Sequence, residues 1–132
     1  MIGLDANVLL RYFVKDDPAQ WERTTRFIAA QCTEENPGFI DRVALCEMVW
    51  VLARGHGYGR PDIARVIRQL LATQELLLED ENLVRSALRA YEGSSLDFPD
   101  ALIGTINLAR GCEATATFDR KAARNEGFIL VP

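Results

Sequence analysis

Short apolar runs alternate with helical segments along the whole chain of 132 residues. The apolar runs predict strands over residues 2–5, 38–41, 75–79, 114–118 and 128–131. Between them, apolar residues recur at helical spacing, which predicts helices over residues 7–14, 19–30, 43–54, 61–72, 81–92 and 97–110 and a short basic helix over 120–124. This order is typical of an α/β fold in which helices cover both faces of a parallel sheet.

The length fits one domain over residues 1–132, with a single hydrophobic core. Hydrophobic residues make up 48% and charged residues 26% of the chain, and no apolar run approaches the roughly 20 residues of a membrane span. The first residues, MIGLDANVLLRYFVKDD, lack a basic start and carry Asp5 within their apolar stretch, unlike a signal peptide. We therefore expect a cytoplasmic protein with no membrane partner.

The residues available for chemistry are mainly acidic. The chain has three widely spaced cysteines and one histidine, a supply that suits neither a zinc site nor histidine-based catalysis. The net charge of −4 does not exclude a nucleic-acid partner, because all but two of the 15 basic residues are arginines, which pair well with phosphate. Any chemistry must therefore come from carboxylates.

Four aspartates follow predicted strands or begin a predicted helix. Asp5 ends the first strand, Asp119 follows the fourth, and Asp97 and Asp100 stand at the start of the helix over 97–110. The working site of an open parallel sheet lies beyond the carboxyl ends of its strands, so we expect these acids to converge there. Helix capping is the alternative role for Asp5, Asp97 and Asp119, and the helix dipole alone would favour Asp100.

Glu47 interrupts VALCEMVWVLA, residues 43–53, where every other residue is apolar. We expect its side chain to face the interior or its margin, where an unpaired carboxylate is costly. Its partner is then either an arginine at a helix end, Arg42 or Arg54, or a divalent cation. Carboxylates clustered without histidine or cysteine favour Mg²⁺ or Mn²⁺, and the basic side chains of Arg120, Lys121 and Arg124 would help to hold a phosphate backbone.

Four motifs in order resemble the PIN-domain ribonucleases, and among them the VapC-type toxins of toxin–antitoxin pairs. They are MIGLDANVLLRYFVKDDP with Asp5, LCEMVWVLARGHGYGR with Glu47, LDFPDALIG with Asp100, and TATFDRKA with Asp119. The resemblance implies a three-layer α/β/α sandwich around a central parallel sheet of four to five strands. It also implies a metal-dependent endoribonuclease that uses Mg²⁺ or Mn²⁺ to cut RNA, works as a homodimer and is inhibited by a small antitoxin.

The resemblance also assigns roles within the motifs. Asp5, Glu47 and Asp100 would be the core catalytic and metal-binding acids, and Asp119 the more variable fourth. Asn7, Asp97 and Thr117 would support these acids. Ala6 departs from the family, in which a threonine or serine often follows the first acid.

Two alternatives stay open. One is a PIN-like module that binds RNA or a protein partner without cutting. The other is a haloacid-dehalogenase-like phosphatase with Asp5 as its nucleophile. The second is disfavoured because Asn7 stands where that family needs a second aspartate and because the only lysines are Lys15 and Lys121.

Overall fold

The computed structural model describes every residue from Met1 to Pro132. The chain forms two compact units, Met1–Glu81 and Asn82–Pro132, and each is described by itself below. The single domain predicted over residues 1–132 stays a prediction.

The first unit contains three parallel strands and four helices. Each strand is followed by a polar cap and then by helices, so the chain returns to start the next strand in the same direction. The elements are β1 (Ile2–Gly3), α1 (Ala6–Phe13), α2 (Pro18–Gln31), β2 (Gly38–Ile40), α3 (Arg42–Gly55), α4 (Arg60–Ala72) and β3 (Leu76–Leu78). Their core includes the fully buried side chains of Leu9, Ile40, Leu45, Met48, Leu52, Ile67 and Leu70.

The strand β2 lies in the middle of this sheet and pairs in parallel with β1 and β3. It begins at Gly38, which is opposite Ile2 on one side and Leu76 on the other. A Cβ atom at Gly38 would lie 2.9 Å from both the Sγ atom of Cys32 and the Cδ1 atom of Leu4. A glycine at this position therefore allows close packing beside the strand.

We expect Gly38→Ala to lower the free energy of unfolding by about 1–3 kcal/mol, because the new methyl group overpacks the space beside Cys32 and Leu4. Urea denaturation would measure the change. Gly3→Ala is the matched control, since a Cβ atom there meets nothing within 4 Å. Equal stability of the two variants would contradict the packing role of Gly38.

The second unit contains the remaining two helices and two strands. Helix α5 (Glu81–Glu92) starts at the boundary and is followed by α6 (Phe98–Ala109), β4 (Thr115–Thr117), a 3-10 turn (Ala122–Arg124) and β5 (Phe128–Leu130). Strands β4 and β5 are parallel, with Thr115 opposite Phe128 and Thr117 opposite Leu130. The ring of Phe128 lies 2.9 Å from where a Cβ atom would stand on Gly104 of α6, so this glycine lets the ring approach the helix.

The order and type of the predicted elements are confirmed, and most boundaries agree within two residues. The strands pair in parallel within each unit, as expected, but the predicted sheet of four to five strands is present as a ladder of three and a ladder of two. The predicted basic helix over 120–124 is shorter than expected and forms only the 3-10 turn. None of the helices has the length and apolar character needed to cross a membrane.

Candidate functional site

The second unit brings three aspartates near one another. Asp97 is the N-cap of α6, and its Oδ1 atom accepts a hydrogen bond of 2.9 Å from the backbone N–H of Asp100. Pro99 is tolerated in the first turn because its nitrogen would have no partner there. Asp119 follows β4 and accepts hydrogen bonds from the N–H groups of Lys121 (2.8 Å) and Ala122 (3.3 Å), again through Oδ1.

The nearby aspartates affect the pKa of the Asp100 carboxyl. Partial burial raises the pKa of its carboxyl above the usual range, the charges of Asp97 and Asp119 raise the pKa further, and so does a hydrogen bond with the Asp97 side chain. Neighbouring negative charges repel one another and disfavour ionisation of Asp100. A cation bound between the three carboxylates would reduce this repulsion. The three side chains are therefore electrostatically coupled.

Asp5 occupies an equivalent position in the first unit. It is the N-cap of α1, and its Oδ1 atom accepts a hydrogen bond of 3.0 Å from the N–H of Val8. The capping role considered for Asp5 and Asp97 is thus confirmed, whereas the residue at the N-cap position of the turn Ala122–Arg124 is Lys121 and not Asp119. Asp5 and Asp119 accept these hydrogen bonds through Oδ1 alone, so the second carboxylate oxygen of each makes no hydrogen bond. That oxygen is available to a ligand.

Asp41 was not among the predicted site residues, because it was placed inside the second strand. In the structure Asp41 follows β2 and caps α3, accepting a hydrogen bond of 2.8 Å from the N–H of Ala44. Because Gly3 is opposite Phe39, Asp5 and Asp41 leave neighbouring strands at the same edge of the sheet. The signal was present, since an aspartate between a short apolar run and an apolar helix is also the pattern of Asp5.

The expectation that Glu47 faces the interior or its margin is wrong. Its side chain is exposed, between Val43 and Trp50, which are 69% and 60% exposed. Helix α3 instead buries the opposite side, with Ala44, Leu45, Met48, Val49 and Leu52. The helix is apolar on nearly all sides, so spacing alone could not show which side is buried.

The alternative partner for Glu47, an arginine at a helix end, is also not found. Arg42 pairs instead with Glu79 (3.4 Å) and Asp80 (3.3 Å), and its backbone N–H donates to Glu79. These contacts tie the start of α3 to the end of β3. Glu47 has no ion pair, so its carboxylate is open to solvent and to a ligand.

The residues predicted to support the acids or to bind phosphate differ in their contacts. The Oγ1 atom of Thr117 accepts a hydrogen bond of 3.0 Å from the N–H of Asp119, which holds the turn after β4. Asn7 is exposed and makes no hydrogen bond with Asp5. The side chains of Arg120, Lys121 and Arg124 are exposed, and their binding of a phosphate backbone stays a prediction.

The donor set suits a hard divalent cation, because it consists of carboxylates with unengaged oxygens and mutual repulsion. No group of three or more His, Cys, Asp or Glu side chains is arranged to hold a metal ion in the structure. The three cysteines are free, and burial raises the pKa of the Cys32 thiol, which makes it a poor ligand. The chemistry of a metal site would therefore fall to the acids.

Parallel strands joined by helices, with aspartates where strands end and helices begin, define an α/β protein. The sequence pattern of the PIN domain matches residues 2–127, and the chain belongs to the PIN domain family. PIN domains are generally metal-dependent nucleases with an α/β sandwich fold, so the predicted fold class is confirmed. No curated protein matches this chain in a sequence comparison.

Proposed function

We propose that this protein is an endoribonuclease that uses Mg²⁺ or Mn²⁺ to hydrolyse RNA phosphodiester bonds. The observation that carries the proposal is the coupling of Asp100 with Asp97 and Asp119 in a chain of the PIN domain family. Asp100 and Asp119 would bind the ion from the second unit. The parts of Asp5 and Glu47 rest on their places in the family's motifs and on their available oxygens.

The chain's own residues account for how the acids are held. Backbone N–H groups hold one oxygen of Asp5 and one of Asp119 in place, and the other oxygen of each makes no hydrogen bond. Asp97 anchors the backbone of Asp100 and can share a proton with its side chain. When bound, a divalent cation supplies positive charge against the phosphate and makes a water molecule easier to deprotonate.

The toxin role is a further part of the proposal. The motifs resemble those of the VapC-type toxins, and on that basis we propose a cytoplasmic homodimer whose activity is blocked by a small antitoxin. An antitoxin that covers the carboxylates would place positive charge against them, because complementary charge is favoured across an interface.

The test is cleavage of RNA by the wild type and by Asp5→Asn, in Mn²⁺ and in excess chelator. Asparagine retains the cap on α1 but loses the charge, and we expect a loss of at least about 100-fold, more than removing a residue that merely supports a metal ligand. Asp62→Asn is the matched control, because Asp62 is also a capping residue but belongs to none of the four motifs.

Equal cleavage by the wild type and Asp5→Asn would contradict the proposal. Tight RNA binding without cleavage by the wild type in Mn²⁺ would favour the alternative of a non-cleaving module. In that case Mn²⁺ should also leave the melting temperature unchanged, because an ion that binds only the folded chain raises it.

A further inference from the structure

A groove of about 670 Å³ lies between α1 and α2 of the first unit. Its volume is within the range of cavities that bind small organic ligands. Arginine, amide and hydroxyl side chains line it together with two apolar ones, and no carboxylate is among them. The lining residues are Asn7, Val8, Arg11, Gln20, Arg23, Thr24 and Phe27.

The groove concentrates positive charge in a chain whose net charge is −4. Arg23 is exposed and has no ion pair. Arg11 pairs with Asp16 at 2.9 Å, but the two side chains are 42% and 51% exposed, and such pairs contribute little. A phosphate can therefore compete with Asp16 for Arg11, and it can bind Arg23 without displacing a carboxylate. Guanidinium groups suit phosphate because they donate two parallel hydrogen bonds.

Phe27 adds a surface for a base. It lines the same groove as the arginines and is 44% exposed. An exposed phenylalanine is common by itself, but an aromatic ring beside arginines is the combination on which unpaired bases stack while their phosphates are held. A base within a duplex is already stacked, so this feature favours a single strand.

The groove also begins beside one of the proposed catalytic acids. Val8, which lines it, donates its backbone N–H to the Oδ1 atom of Asp5 at 3.0 Å. Asn7, the next residue toward Asp5, lines the groove as well, and its side chain has no hydrogen-bond partner in the structure. A strand lying in the groove would thus run within one helical turn of Asp5.

From these observations we propose that the groove between α1 and α2 binds single-stranded RNA next to the phosphate that is cut. Arg11 and Arg23 contact its phosphates, and Phe27 stacks on a base. The inference rests on the proposed ribonuclease function, and it assigns substrate binding to side chains of α1 and α2.

The experiment measures binding of a fluorescein-labelled, unpaired 12-nucleotide RNA by anisotropy, in excess chelator so that no cleavage occurs, at several salt concentrations. We expect Arg23→Gln to weaken binding about fivefold near 0.1 M salt and to reduce the salt slope by about 0.7, the contribution of one phosphate contact on a single strand. Arg26→Gln is the matched control. It removes the same charge from the same helix, but Arg26 pairs with Glu22 and does not line the groove.

Phe27 is tested in the same assay. We expect Phe27→Ala to weaken binding at least about fivefold with an unchanged salt slope, because stacking rather than charge is lost. Phe27→Leu should be weak as well, whereas Phe27→Trp should bind like the wild type. Circular dichroism of each variant checks folding, and Phe27→Leu, which keeps an apolar side chain, serves if Phe27→Ala does not fold.

Cleavage in Mn²⁺ is measured in parallel, so that the two proposals can fail separately. If the wild type cleaves RNA but Arg23→Gln and Phe27→Ala bind RNA as tightly as the wild type, the proposal that the groove binds RNA is overturned and the nuclease proposal is not. An acidic peptide is then the better occupant of the groove. If both variants bind RNA more weakly but the wild type does not cleave RNA, the groove is supported as an RNA-binding site and the nuclease proposal is overturned. The groove proposal is also overturned if the wild type does not bind the RNA, or if Arg26→Gln weakens RNA binding as much as Arg23→Gln does.

Discussion

Asp100→Asn should lose RNA cleavage by more than about 100-fold while becoming more resistant to heat than the wild type in excess chelator. Activity falls because a proposed metal ligand loses its charge, and removing a residue that only supports such a ligand already costs 10–100-fold. Stability rises because the substitution removes a carboxylate that is partly buried and repelled by Asp97 and Asp119. Cleavage assays in Mn²⁺ and melting curves in chelator measure the two effects.

The gain in stability depends on pH in a defined direction. The pKa of Asp100 is raised, so the folded chain holds this proton more tightly than the unfolded chain does. The wild type therefore loses stability as the pH rises from the usual value of 3.8 through the raised pKa of Asp100, and the advantage of Asp100→Asn grows over that interval. A variant that keeps cleavage, or an advantage that shrinks with rising pH, would contradict this account.

Phe98→Ala should lower the free energy of unfolding by about 3–5 kcal/mol, the usual cost of deleting a buried ring. Phe98 is 1% exposed, and its ring meets that of Tyr91 edge to face with centroids 5.9 Å apart. It is the first residue of α6 and stands between Asp97 and the turn that carries Asp100. The buried ring therefore anchors the helix start at which these acids lie.

Urea unfolding followed by circular dichroism measures this effect. Phe98→Leu is the control, because leucine fills most of the space and should cost less than half as much. Ile103→Ala provides a second comparison within α6, since its side chain is 47% exposed and its loss should change stability little. A small effect of Phe98→Ala would mean that α6 is held mainly by other contacts.

The sequence predicted the fold well because its local signals agree with one another. Each short apolar run ends at an acidic residue or a proline, and helical spacing begins within a few residues of most of them, as at Asp5 and α1. The same signals placed Asp97 and Asp119 at turns. The proximity of Asp119 to Asp100 required the topology as well, since it depends on where β4 ends relative to α6.

The orientation of Glu47 could not be obtained in this way. A helix with polar residues on one side reveals its buried side, but α3 has apolar residues on every side, and the energetic argument against a buried charge did not identify the exposed side. Asp41 was missed for another reason, because a strand of three residues leaves its end uncertain by one position.

The backbone hydrogen bonds of Asp5 and Asp119 would limit which substitutions are tolerated there if hydrolysis were no longer selected. Asp5 and Asp119 would still hold backbone N–H groups, so drift there should favour asparagine or serine. Glu47 and Asp100 hold no backbone group through their side chains, and Asp100 is a burden on stability, so those two positions should change first and most freely. Descendants that keep both acids would record that cleavage had been selected without interruption.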